Sequence, residues 1–128
     1  MNLYSKLAAR AADQNPVTVG MIGGGKFGSM FLAQARLTTG LQIAAVVDLA
    51  PDRARANLAA TGWAPEQYAA ASIGDALKTG GTWVGDNAEA MIATSGIDVV
   101  VDATGDPSAG IRHALLCCEH GKNVIMVN

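Results

Sequence analysis

Three glycines are spaced for chemistry: Gly23, Gly25 and Gly28 form G-x-G-x-x-G within MIGGGKFGSM. The motif follows an apolar, β-branched run, VTVGMIG (17–23), and opens a helical pattern. In such a βαβ setting each glycine has its own task. Gly23 makes a tight turn, Gly25 lets a pyrophosphate approach the backbone, and Gly28 lets the helix pack closely on the strand. Helix N-terminal amides and the helix dipole then face an anion. Gly24 adds freedom that the motif does not strictly need.

Asp48 ends the next apolar run, LQIAAVVD, twenty residues after Gly28. A carboxylate there can accept hydrogen bonds from an adenosine ribose. The pattern therefore points to a dinucleotide, NAD or NADP. A free carboxylate at 48 repels a 2′-phosphate and leans towards NAD. Arg53 and Arg55 either swing over to hold that phosphate or belong to a solvated helix face.

DATGDP (102–107) follows the third long apolar run. In open α/β sheets ligands lie beyond the carboxyl ends of strands, where strand order reverses. Ala103, Thr104 and Gly105 are small enough for a nicotinamide ribose to lie over them. Asp106 reads as a helix cap before Pro107 at the first helical position, and Asp102 as a strand end. Lys26 sits at a helix start, where it is either solvated or near a phosphate. His113 and His120 have no acid–base partner nearby in sequence and read as structural or exposed. No HExxH, GxSxG or P-loop pattern occurs, and no metal site is expected.

The elements that must position these residues follow from periodicity and punctuation. Helices are predicted over 3–12, 26–38, from Pro51 to about 60, over 72–81, over 86–96 and from Pro107 to about Glu119. One or two helical turns are expected within 63–71. Strands are predicted over 17–23, 41–48, 82–85, from 97 into the loop ending at 105, and over 122–128. Leu3, Leu7 and Ala11 should share one face of the first helix. Phe27, Met30, Phe31 and Ala35 should face inward in the second. Asp86 and Glu89 resemble a capping box. Alternating apolar strands and helices imply a parallel sheet covered on both faces. The expected class is α/β, a Rossmann-type doubly wound sheet ordered 3-2-1-4-5. A helical extension (1–15) precedes the dinucleotide-binding domain (16–128).

The 128 residues are half hydrophobic and 16% charged, with a net charge of −2, which fits one folded domain. No basic run favours nucleic acid. No apolar stretch approaches the roughly 18 residues of a membrane span, and the N-terminus lacks a secretory pattern. A cytoplasmic protein is expected. The adjacent Cys117 and Cys118 read as buried free thiols.

The joined segments VTVGMIGGGKFGSMFLAQ, VVDLAPDRAR, IDVVVDATGDPSAGIRHAL and EHGKNVIMVN resemble the NAD-binding domain of homoserine-dehydrogenase-like oxidoreductases. The likeness is greatest to the bacterial group that carries a C-terminal SAF domain. The resemblance implies hydride transfer between a nicotinamide cofactor and an alcohol or carbonyl substrate. It implies cofactor contacts from Gly23, Gly24, Gly25, Lys26, Phe27 and Gly28, from Asp48, and from Ala103, Thr104 and Gly105. It matches Asn128 to a substrate-side Asn. It also implies a separate substrate and oligomerisation domain, so that the chain is truncated after its fifth strand and binds cofactor without turning over alone. Catalytic residues are then expected beyond Asn128, and identical chains are expected to associate. Two alternatives remain open: a non-catalytic nucleotide-binding module and a reductoisomerase-like relative.

Overall fold

The computed structural model describes residues 2–23 and 25–127, and of Lys26 the backbone alone. Helix α1 (Leu3–Ala12) is capped by Asn2, whose Oδ1 accepts from Ser5 N at 2.8 Å. It buries no residue, and Leu3 is exposed. Strand β1 (Val17–Ile22) then enters the core, followed by α2 (Lys26–Ala35), β2 (Leu41–Val47) and α3 (Pro51–Ala60). A 3₁₀ turn (Pro65–Tyr68) leads to α4 (Ile73–Thr79), β3 (Trp83–Gly85), α5 (Ala88–Ala93), β4 (Val99–Asp102), α6 (Pro107–Glu119) and β5 (Asn123–Met126).

The five strands are parallel and ordered β3-β2-β1-β4-β5. The chain builds outward from β1 in one direction, then crosses back to lie on its other side. The crossovers place α2 and α3 on one face of the sheet and α4, α5 and α6 on the other. Leu32 and Ala35 of α2 and Ala54 and Leu58 of α3 pack with Met21, Val46 and Val101 on one face. Ile73 of α4, Met91 and Ile92 of α5 and Cys117 of α6 pack with Ala44, Val47 and Val100 on the other. Burial on both faces explains why β1 and β2 are continuous apolar runs.

Local chemistry sets most helix ends. Ser72 Oγ accepts from Asp75 N at 3.0 Å, and Gly80 closes α4 with φ +81°. Asp106 Oδ1 accepts from Ser108 N at 3.0 Å and opens α6. The α5 cap is Asn87, which accepts from Ala90 N at 2.9 Å, so Asp86 and Glu89 form no capping box. Helix α2 stops at Ala35, short of the expected residue 38. Its buried stripe is Gly28, Leu32 and Ala35, while Phe27 and Met30 are 42% and 62% exposed. Both aromatic rings, Phe27 and Phe31, stack at 6.3 Å along the rim of that stripe. Cys117 is buried, but Cys118 points to solvent, one residue round the helix. Burial, then its neighbours Cys118 and Asp102, push the Cys117 thiol up.

Candidate dinucleotide site

The glycine turn is built by contact. Gly23 has φ +92°, and a Cβ there would lie 2.7 Å from the Ala103 carbonyl oxygen. Only glycine fits both that angle and that approach. Gly28 sits on Met21 and on the Gly23 carbonyl, where a Cβ would meet Met21 Cε at 2.9 Å and Gly23 O at 3.1 Å. At Gly25 a Cβ would meet nothing within 4 Å. The first and third glycines are therefore required by the protein's own packing. The second leaves room at the start of α2, which has no side-chain cap.

Asp48 follows β2 and is buried. Its Oδ1 accepts from Ala50 N at 2.9 Å and from Arg53 Nη2 at 2.8 Å. Its Oδ2 is buried and, among the described residues, has no hydrogen-bond partner. A buried polar atom left unpaired costs about 1–3 kcal/mol, more when charged. An acceptor kept at that cost fits a ligand that donates to it.

On the far side of the strand ends, Asp102 and His113 form a buried pair. His113 Nδ1 lies 2.6 Å from Asp102 Oδ2. Asp102 Oδ1 accepts from Thr104 N at 3.0 Å and Thr104 Oγ1 at 2.8 Å. Burial works to raise the Asp102 carboxyl, but the Thr104 amide, His113 and the Thr104 hydroxyl outweigh it and hold the group below its ordinary value. The sequence reading gave His113 no partner and Asp102 only a strand-end position. The missed signal was spacing: Gly110, His113 and Cys117 share the buried face of α6, so an inward histidine there needs a partner on β4.

These features surround one cavity of about 980 Å³. The glycine turn contributes Gly23, Gly25 and Ser29, and the β2 end contributes Asp48, Leu49 and Arg53. The loop after β4 contributes Ala103 and Thr104, and α6 contributes Arg112 and His113. Gly28, Phe27 and Gly105 do not line it: Gly28 is under the turn, Phe27 projects outward, and Gly105 takes φ +72° just beyond the wall. Arg55 pairs with Asp52 at 2.8 Å and also stays outside. Gly24, Asn128 and the Lys26 side chain lie outside the described residues.

An open glycine at an uncapped helix start and a buried carboxylate with an orphaned oxygen after the second strand thus share one cavity. Residues 17–126 match the family model described as oxidoreductase family, NAD-binding Rossmann fold (GFO/IDH/MocA). The chain belongs to that family. No curated protein sequence matches the chain. Among solved structures it is similar to an NAD binding oxidoreductase from Klebsiella pneumoniae, at 16% identity and a TM-score of 0.61, over 87% of this chain and 27% of that one. It is also similar to myo-inositol dehydrogenase from Lactobacillus casei, solved with NAD(H) and myo-inositol, at 18% identity and a TM-score of 0.62, over 87% and 28% of the two chains. At such identities the likeness is one of fold. The chain spans just over a quarter of the length of these relatives. The narrower resemblance to homoserine-dehydrogenase-like enzymes is not carried by these matches. Among the described residues no helix is long and apolar enough to cross a membrane.

Proposed function

We propose that this chain is the NAD-holding part of an oxidoreductase that moves a hydride between a nicotinamide and an alcohol or carbonyl substrate. The observation that carries the reading is the orphaned Oδ2 of Asp48, a residue that lines the same cavity as Gly23 and Gly25. The Gly25 backbone and the uncapped α2 amides would receive the pyrophosphate. Asp48 would accept from the ribose hydroxyls, and Ala103 and Thr104 would support the chain between the two ribose groups. The bound nicotinamide supplies the hydride donor or acceptor.

NAD fits better than NADP. Asp48 is buried and pinned through Oδ1 by the Ala50 amide, so it cannot swing away from a 2′-phosphate. Arg53 is already engaged with the same carboxylate. Its guanidinium would lie beside the ribose and offset the Asp48 charge.

Substrate clamping requires near-attack geometry over the nicotinamide. The described cavity takes its walls from the ends of β1 and β2, from the loops after β1, β2, β3 and β4, and from α2, α3, α5 and α6, with none from β5. We place the substrate-holding residues in a further domain, with a cytoplasmic enzyme of associated identical chains as the working form. The homoserine-dehydrogenase-like assignment rests on the sequence segments alone.

The test is calorimetric titration with NADH of the wild type and of Gly25→Leu. Space at Gly25 is open, so the variant should fold as well as the wild type while NADH binding is lost. Equal binding by both would sink the proposal.

A further inference from the structure

The loop after β4 is held twice over. It lies against the glycine turn: a Cβ on Gly23 would come within 2.7 Å of Ala103 O and 2.9 Å of Thr104 Cα, and Ala103 N donates to Ile22 O at 2.8 Å. It is also tied to the buried Asp102, which accepts from Thr104 N at 3.0 Å, Thr104 Oγ1 at 2.8 Å and His113 Nδ1 at 2.6 Å. Thr104 Oγ1 in turn accepts from Asp106 N at 3.2 Å. The turn from β4 into α6 thus hangs on one carboxylate, itself fixed by a side chain of α6. Burial opposes the charge on Asp102, but the Thr104 and His113 bonds outweigh it. Asp102 is therefore a carboxylate at neutral pH, and the His113 ring donates to it whether the ring is neutral or charged.

A buried ion pair is often no more stabilising than an apolar pair of similar volume, so stability gives little reason for this one beside a cavity. Position gives a better one. Ala103, Thr104 and His113 line the same cavity as Asp48 and Gly25. The order β3-β2-β1-β4-β5 puts the end of β2, with Asp48, on one side of the glycine turn and the end of β4, with Asp102, on the other. A dinucleotide whose adenosine ribose meets Asp48 and whose pyrophosphate meets the turn then lays its nicotinamide half on the β4 side. Thr104 commits its amide and hydroxyl to the protein, while its carbonyl accepts no hydrogen bond among the described residues.

Resting on the dinucleotide reading above, we infer that Asp102 and His113 are positioning residues, which hold the Ala103–Thr104 backbone in place for the nicotinamide half of the cofactor and do not act on the adenosine half. A loop fixed before the ligand arrives need not be ordered by it, so its contacts keep more of their affinity. Without the His113 donor the loop loses that fixing, and only the nicotinamide half should register the loss.

The test is calorimetric titration with NADH and with ADP, which lacks both the nicotinamide and its ribose. His113→Leu removes the donor to Asp102. His113→Asn keeps one, because the Asn amide nitrogen stands where Nδ1 stands on the ring. His113→Leu should weaken NADH about tenfold and ADP by less than about twofold, and His113→Asn should recover most of the NADH loss. Equal losses of NADH and ADP would mark the pair as merely structural and overturn the inference. So would unchanged NADH binding by His113→Leu, or an Asn variant no better than the Leu one. If His113→Leu does not fold, Thr104→Val, which removes the hydroxyl between Asp102 and Asp106, is read with the same two ligands. A wild type that binds ADP as tightly as NADH would overturn the inference while leaving the adenosine half of the site intact. Failure of the folded wild type to bind NADH would instead overturn the proposed function, and this inference with it.

Discussion

Replacing Asp48 by asparagine separates the carboxylate's two oxygens. Asparagine keeps Oδ1, so the bonds from Ala50 N and Arg53 Nη2, at 2.9 and 2.8 Å, have an acceptor still. In place of the orphaned Oδ2 it puts an amide donor, facing ribose hydroxyls that need an acceptor. A hydrogen bond to a charged group contributes about 1.5–3 kcal/mol, and each 1.4 kcal/mol is tenfold in affinity. Asp48→Asn should therefore weaken NADH about 10- to 100-fold. Stability should move little. The lost ion pair with Arg53, which is well exposed, is worth about 0–1 kcal/mol, and removing the desolvation cost of a buried carboxylate offsets it. Calorimetric titration gives the affinity and thermal denaturation gives the stability. Unchanged affinity, or an affinity loss that only tracks a loss of folding, would refute the reasoning.

Three further outcomes follow. Gly28→Val should cost about 1–3 kcal/mol by overpacking against Met21 and the Gly23 carbonyl, whereas Gly25→Val should leave the melting temperature unchanged; differential scanning calorimetry compares them. Asp102, ionised and held below its ordinary 3.8, contributes stability that is present above 3.8 and is lost as pH falls through the lower folded value. The stability gap between wild type and Asp102→Asn should thus be widest near neutrality and narrow below pH 3.8, read from urea unfolding at each pH. Strand β5 lies at the sheet edge with Ile125 54% exposed, and an apolar edge invites strand pairing. The chain should associate at high concentration in sedimentation and Ile125→Lys should reduce this; a monomeric wild type would count against it.

Much of the cofactor end was legible because it depends on local backbone needs. Gly23 had to be glycine for a positive φ, and Gly28 for close packing, so spacing alone disclosed the turn. Asp48 was legible because strand and helix lengths fix where β2 ends. Strand order followed from handed crossovers. What stayed hidden were choices settled by tertiary contact. Helix α2 has two apolar faces, and the sequence could not say that Leu32 would pack inward while Phe27 and Met30 stayed out. Asp86 and Glu89 imitate a capping box one residue out of register with the Asn87 cap. The His113–Asp102 pair joins a helix to a strand eleven residues away, and only the fold aligns their faces.

The most direct measurement is a calorimetric titration of the intact chain with NADH and, separately, NADPH. Saturable binding of NADH, with NADPH at least about tenfold weaker from charge repulsion at Asp48, is the predicted result. A folded chain that binds neither, or one that prefers NADPH, would contradict the assignment of Asp48 as the ribose acceptor of an NAD site.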